Sequence, residues 1–307
     1  MRTELNGVIV LDKPAGITSA KAVAGVKRAL GVAKVGHAGT LDPFATGVLV
    51  CCVGQATRLA RFFLHGEKQY DAVLRLGITT DTLDITGQVV SQDSVPELSD
   101  QALAEVFNRF VGPQMQAPPV YSALKHQGTP LYKLARKGQP VQKAPRPITI
   151  SALRIKAVAL PEVRFEMRCS AGTYVRVLCA DIGRVIGCGG HLAELRRTAS
   201  CGFGIDEALS LEEAQGADQS RSADKAVIPM AAALRGMPIF EADERILQRL
   251  AHGQRLDVGM VPEQDLTAGG PGQHEGFIKV VDGQNRLRAV LQRSPDGVNY
   301  NYCCVFN

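Results

Sequence analysis

Lys34-Val35-Gly36-His37-Ala38-Gly39-Thr40-Leu41-Asp42-Pro43-Phe44-Ala45-Thr46-Gly47-Val48-Leu49 is the stretch on which the reading of the chain turns. Gly36, Gly39, Pro43 and Gly47 interrupt it too often for a helix or strand to run through. The Val48-Leu49-Val50-Cys51-Cys52-Val53 run behind it is continuously apolar, as a buried strand is. The stretch is therefore expected to be a loop on the lip of a core strand. Asp42 is its single acid, and no other charged residue stands between Lys34 and Arg58 to neutralise it locally. Asp-Pro pairs start turns, so Asp42 taken alone reads first as a turn residue. Its companions along the chain change that reading.

Upstream, Gly7-Val8-Ile9-Val10-Leu11 reads as a buried strand that ends in the turn chemistry of Asp12-Lys13-Pro14-Ala15-Gly16. Thr18-Ser19 then caps a helix to about Leu30, with Gly31 as its stop. Lys13 stands where that strand exits, in reach of a phosphate or carboxylate, or equally as a solvated turn lysine. Downstream, Gln55 to Leu64 has helical spacing, and Glu67 to Leu76 alternates as a half-buried strand carrying Tyr70. A strand aromatic is the commonest use of such a tyrosine. Gly77 to Gly87 is rich in turn formers and hydroxyls, has too few carboxylates for a calcium loop, and reads as structural. Ser99 caps an amphipathic helix through Phe110.

Between Val106 and Pro161 there is no acid, against Arg109, Lys125, Lys133, Arg136, Lys137, Lys143, Arg146, Arg154 and Lys156. Tyr121 and Tyr132 are interleaved with these cations, a mixture that suits looped or single-stranded RNA, where bases stack and phosphates pair. Leu131 to Lys137 is expected to be a short basic helix. Val163 to Ser170 alternates as a strand, and Ala171-Gly172-Thr173 turns into a mostly apolar helix from Tyr174 to Gly183. Arg176 falls in its first turn, where a buried cation opposes the helix dipole and needs a carboxylate. Asp42 is the candidate partner, with Asp181 and Glu194 as alternatives. His191 to Phe203 reads as a strand with the basic pair Arg196-Arg197. The chain turns acidic and helical from Asp206, and Arg235-Gly236-Met237-Pro238 has the look of a linker. A short helix, Ala242 to Leu250, the loop Gly269-Gly270-Pro271-Gly272, and three strand-like runs, Gly276-Val281, Arg286-Arg293 and Val298-Phe306, then make a small β module.

The chain of 307 residues, 45% of them hydrophobic, is long enough for one large or two ordinary domains. No apolar run approaches the roughly 20 residues that cross a bilayer, and a cytoplasmic location is expected. Eight cysteines form no CxxC pair and read as reduced, mostly buried thiols. The formal charge of +5 is modest, and its concentration in the acid-free block points to a polyanionic partner. There is no P-loop, dinucleotide fingerprint or metal-ligand cluster.

Five separated motifs follow one another in order: Asp12-Lys13-Pro14-x-Gly16-x-Thr18-Ser19; Gly36-His37-x-Gly39-Thr40-Leu41-Asp42-Pro43-x-Ala45-Thr46-Gly47; Lys68-x-Tyr70 with Thr80-Asp81-Thr82-x-Asp84-x-x-Gly87; Pro118-Pro119-x-Tyr121-Ser122-Ala123-Leu124-Lys125; and Gly172-Thr173-Tyr174-x-Arg176 leading to Leu195-Arg196-Arg197. Together they resemble the TruB family of tRNA pseudouridine synthases over roughly residues 5 to 203. The resemblance implies an α+β fold, a mixed and mostly antiparallel sheet with flanking helices. It implies a catalytic domain over 1–235 with a basic RNA-gripping insertion at about 114–147, and a small β-barrel-like (PUA-like) module over 236–307. It implies that uridine 55 in the T loop of tRNA is isomerised. Asp42 is then the nucleophile, paired with Arg176; His37 enters the opened T loop; Tyr70 and Tyr174 flank the flipped uracil; Leu195 lines the pocket. Lys13 is counted with the substrate-binding group.

Breaking C1′–N1 and joining C1′ to C5 involves no redox change and no net hydrolysis, so no cofactor and no metal is expected. A carboxylate can attack C1′ or C6, or take the 2′ proton, and all three routes suit an aspartate in a dry pocket. Lifting the base from its stack costs about a few kcal/mol, which aromatic stacking offsets. Tyr70 suits that stacking, and its phenol suits removal of the C5 proton. The tRNA T stem-loop is the expected partner, with no membrane, no obligatory protein partner, and a monomer. The rival readings are a guide-RNA-dependent synthase acting on ribosomal RNA and a non-catalytic RNA-binding or tRNA-folding protein. The long basic insertion favours a stand-alone enzyme, and a pure binder has no need of Asp42, Tyr70 and Arg176 together.

Overall fold

The apolar runs at Val8–Leu11 and Val48–Val53 form the strands β1 (Gly7–Lys13) and β3 (Thr46–Val53), paired antiparallel from Gly7↔Val53 to Lys13↔Gly47. Alternation sends Val8, Val10, Val48, Val50 and Cys52 into one core and Ile9, Leu11, Leu49, Cys51 and Val53 into another. Burial on both faces is why neither run alternates with polar residues. The structure is a computed structural model describing residues 5–216, 226–262, 266, 267, 274 and 276–306, and the expected loop at Gly269-Gly270-Pro271-Gly272 falls outside the described residues.

Between β1 and β3 lie the helix α1 (Ser19–Leu30) and the short strand β2 (Val35–His37). Thr18 caps α1 by accepting from Lys21 N, and Gly31 closes it in the left-handed conformation at φ 60°. β2 pairs with β3. A three-residue strand thus occupies part of the stretch expected to be loop throughout, because Val35 to His37 fall opposite free positions on β3.

The remaining strands are β4 (Lys68–Leu76), β5 (Gly112–Gln116), β6 (Arg146–Ala159), β7 (Glu162–Cys169) and β8 (Gly190–Ser200). The main sheet runs Leu209–Ser210, β1, β3, β8, β4, β7, β6, β5. β8 lies parallel to β3, and β1 parallel to Leu209–Ser210; the other neighbours on this path are antiparallel. The sheet is therefore mixed and mostly antiparallel. Helices α2 (Asp100–Asn108, capped by Ser99) and α3 (Val175–Ile186) cover one face, with Leu103, Phe107, Leu178 and Ile182 packed on Phe165 and Leu74. The 14-residue β6 was hidden in the acid-free block. Its Lys156 faces outward and pairs with Glu166 of β7 at 2.9 Å, so part of that block is ordinary sheet surface.

A second sheet of five strands follows, in the order Ile239–Glu241, Phe277–Val281, Leu287–Arg293, Asn299–Val305, Leu256–Asp257. Its Val281, Leu287, Val290, Cys304 and Phe306 join the cluster that holds Val8 and Val48. Met237, in the tetrapeptide that reads as a linker, is 2% exposed within the same cluster. That segment is a packed seam, with Met237 held among Val281, Leu287 and Phe306 of the second sheet and Val8 and Val48 of the first.

Candidate active site

The Asp42 loop joins β2 to β3, and three sets of bonds fix its path. Ser19 Oγ donates to Leu41 O (3.0 Å) and accepts from Leu41 N (2.9 Å). The Pro43 carbonyl accepts from Gly16 N (2.8 Å) and Lys13 Nζ (3.2 Å). The Arg197 guanidinium donates to the Gly39, Thr40 and Val48 carbonyls at 3.0, 3.4 and 2.7 Å. A carboxylate on a loop held at both ends is presented in one place.

Arg176, in the first turn of α3, meets it there. Nη2 lies 3.0 Å from Asp42 Oδ1 and 2.9 Å from Oδ2, while Nη1 stands 3.7 Å from Asp84 Oδ2. One buried arginine thus bridges two aspartates. The alternative partners are engaged elsewhere, Asp181 with Arg184 and Glu194 with Arg164. Burial raises the Asp42 pKa above its ordinary value; Arg176 opposes the rise and the Asp84 charge adds to it. Asp84 is itself anchored, its Oδ1 accepting from Thr82 Oγ1 (2.8 Å), Thr86 N (3.0 Å) and Thr86 Oγ1 (2.6 Å). The loop read as purely structural therefore supplies a second carboxylate to the site.

A cavity of about 360 Å³ opens in front of these groups, lined by Asp42, Tyr70, Tyr174, Arg176, Leu195 and Arg197. Ala123 and Leu124 of the basic insertion close another side. Tyr70 is buried on β4, opposite Met167 of β7 and Arg197 of β8. Tyr174 precedes α3, and its backbone is clamped by Gln116, which accepts from Tyr174 N at 2.8 Å and donates to Tyr174 O at 3.1 Å. Two guanidiniums lie within cation–π reach of its ring, Arg146 at 5.3 Å and Arg176 at 5.9 Å. The cavity is large enough for a nucleobase, has aromatic walls, and carries one carboxyl group, that of Asp42. Among the described residues no group of three or more His, Cys, Asp or Glu is placed to hold a metal ion.

Two residues named from the sequence stand apart from the cavity wall. Lys13 is fully buried, giving its ammonium to the carbonyls of Pro14 (2.8 Å), Ile17 (2.9 Å) and Pro43. Counted with the substrate-binding group from the sequence, Lys13 in this structure ties the turn at Pro14–Ile17 to the Asp42 loop. Burial lowers its pKa to about 8, against the opposing pull of Asp42. His37 is half-buried on β2, its Nδ1 has no partner, and burial holds its pKa below the ordinary value. The sequence reading missed Asp84, Arg197 and Lys68, which lines the cavity with its ammonium on the Leu64 and Gly66 carbonyls. A signal existed for Arg197: it follows Leu195 by two positions on a strand, so it faces the same side as a pocket residue.

Residues 27–175 match the family described as "TruB family pseudouridylate synthase (N terminal domain)", and residues 176–235 the one described as "tRNA pseudouridylate synthase B C-terminal domain". The chain is similar to the protein named tRNA pseudouridine synthase B of Syntrophotalea carbinolica, 46% identical over 250 residues and 81% of each chain. It is 41% identical to the protein of that name from Burkholderia pseudomallei, over 97% of this chain and 96% of that one. Among solved structures it resembles a chain in "Crystal Structure of a Cbf5-Nop10-Gar1 Complex", with TM-score 0.74 and 25% identity, over 98% of this chain and 85% of that one.

Proposed function

The chain belongs to the TruB family of pseudouridylate synthases, and from that premise we propose that it isomerises uridine 55 in the T loop of tRNA to pseudouridine, with Asp42 as the nucleophile. The observation that carries the reading is the Asp42 carboxylate, held by Arg176 at 2.9 and 3.0 Å on the wall of a cavity that Tyr70 and Tyr174 also line. An everted uracil fits between the two rings, which return the stacking it lost on leaving the helix. Asp42 then meets the nucleotide in a site with little water, where a carboxylate is a stronger nucleophile than in solution. Arg176 keeps it ionised and oriented while the base departs from C1′. Tyr70 takes the C5 proton once the carbon–carbon bond has formed. The cations of the insertion, from Lys125 to Arg146, grip the stem-loop phosphates above the cavity. The division into a catalytic part over 1–235 and a PUA-like RNA-binding module over 236–307 belongs to the same reading, as does action on tRNA without a protein partner.

The test is purified protein alone on an unmodified tRNA transcript, read at single-nucleotide resolution by pseudouridine-specific chemistry. Pseudouridine is expected at position 55, and Asp42→Asn is expected to bind the transcript and make no product. An Asp42→Asn variant that turned over at the parental rate, or product at another position, would overturn the proposal.

A further inference from the structure

Arg197 is 1% exposed, and among the described residues its guanidinium bonds to no carboxylate. Burying a cation without a counter-charge is costly, and carbonyl dipoles return only part of the hydration it gives up. Its three carbonyl acceptors are all on the Asp42 side of the site: Gly39 and Thr40 precede the aspartate and Val48 begins the apolar run after it. On the other side, Tyr70 is its register partner across β8 and β4, and both side chains line the same cavity. Gly39 adopts φ +99°, and a Cβ there would stand 3.7 Å from Arg197 Nη1.

Resting on the pseudouridine-synthase reading, we propose that Arg197 is the positioning residue of the reaction, one guanidinium that fixes the loop presenting Asp42 and stabilises the Tyr70 oxygen as it gives up its own proton and takes that of C5. The proton count balances. Tyr70 passes its own proton to water, then receives the C5 proton while the C5–H electron pair returns to the ring, and N1 takes one proton from water in place of the one C5 lost. A permanent charge aimed at an oxygen that becomes anionic, in a water-poor site, is the arrangement that stabilises such a step most. Burial pushes the Tyr70 pKa up, and Arg197 is the strongest influence drawing it back.

The test is a double-mutant cycle on the full chain, following single-turnover C5-tritium release from labelled tRNA between about pH 6 and about pH 10. Arg197→Met is expected to slow release by about tenfold or more and to move the rising limb of the pH profile upward. In a Tyr70→Phe background the same substitution is expected to cost several-fold less than in the parent and to leave the limb unmoved, because only the hold on the Asp42 loop is then lost. Arg197→Lys keeps the charge but not the fork, so its limb stays in place while its rate falls; this variant decides the matter if Arg197→Met does not fold. Equal losses in both backgrounds with an unmoved limb, parental rates in Arg197→Lys, or full activity in Tyr70→Phe would each sink the inference. If the parent itself released no tritium, the pseudouridine-synthase reading would have failed instead.

Discussion

At the scale of single residues, the site places buried charges where their protonation can be read. Lys13 has a folded pKa of about 8 against the ordinary 10.5 and is fully buried. Between those two values the unfolded chain binds more protons than the folded one, so stability rises with pH across that window. Below about pH 8 both states are protonated and the whole cost of burying the ammonium is present. Urea unfolding at about pH 7 and about pH 10 is expected to show the parent gaining up to about 3 kcal/mol relative to Lys13→Met, the equivalent of its shift at about 1.4 kcal/mol per pKa unit. A constant gap would mean that Lys13 titrates normally. Arg176 offers a second measurement. Its Nη2 alone contacts both Asp42 oxygens, while Nη1 faces Asp84 at 3.7 Å, so a lysine reproduces one of these two contacts and not both. Arg176→Lys is expected to bind tRNA normally and to lose about tenfold or more in single-turnover rate. Parental turnover would show that the bridge to Asp84 is dispensable. The choice of Asp42 over Asp181 and Glu194 was open in the sequence, because spacing along a chain does not say which acid returns to a given helix start.

At the scale of elements, the site is the product of one parallel contact between two strands. β3 and β8 touch through Thr46↔Arg196 and Gly47↔Arg197, which sets the aspartate loop beside the arginine that holds it. Gly47 makes this possible. It adopts φ +102°, and a Cβ added there would lie 2.2 Å from the Arg197 carbonyl oxygen. Gly47→Ala is expected to destabilise the fold by about 2–4 kcal/mol and to lower activity, as seen by urea unfolding and tritium release at one temperature. An alanine variant as stable and active as the parent would show that the strands can part without harm. Much at this scale was legible. Ser99, Thr18 and Gly31 marked their helix ends by capping chemistry, and the turns after Val281 and Arg293 separated the last three strands where they stand. The strand Arg146–Ala159 was not, since its outward face is basic and its pairing with β7 and β5 is long-range. Arg197 stood in the sequence as half of a basic pair, and its two-residue spacing from Leu195 was the one local sign that it faces the cavity.

At the scale of the molecule, the two sheets share a core instead of meeting across a tether. Val8 and Val48 of the first pack in one cluster with Val281, Leu287 and Phe306 of the second. Lys279 is buried between them, its ammonium on the Ala231 and Leu234 carbonyls at 2.8 Å each. Arg58, just after β3, donates to Val305 O at 2.6 Å and covers the Phe306 ring at 5.0 Å. A tetrapeptide such as Arg235-Gly236-Met237-Pro238 reads as a linker because turn residues describe the local path and carry nothing about what Met237 touches. The consequence concerns cooperativity. Separate modules unfold in separate steps, whereas a shared apolar core opens all at once. Amide exchange in rising urea is therefore expected to lose protection over Val8–Leu11 and over Val280–Leu291 at the same midpoint. Phe306→Ala removes a ring that is 3% exposed, at a cost of about 3 kcal/mol, and is expected to move both segments together. If Val280–Leu291 opened first, with Val8–Leu11 unmoved by Phe306→Ala, the second sheet would be an appendage.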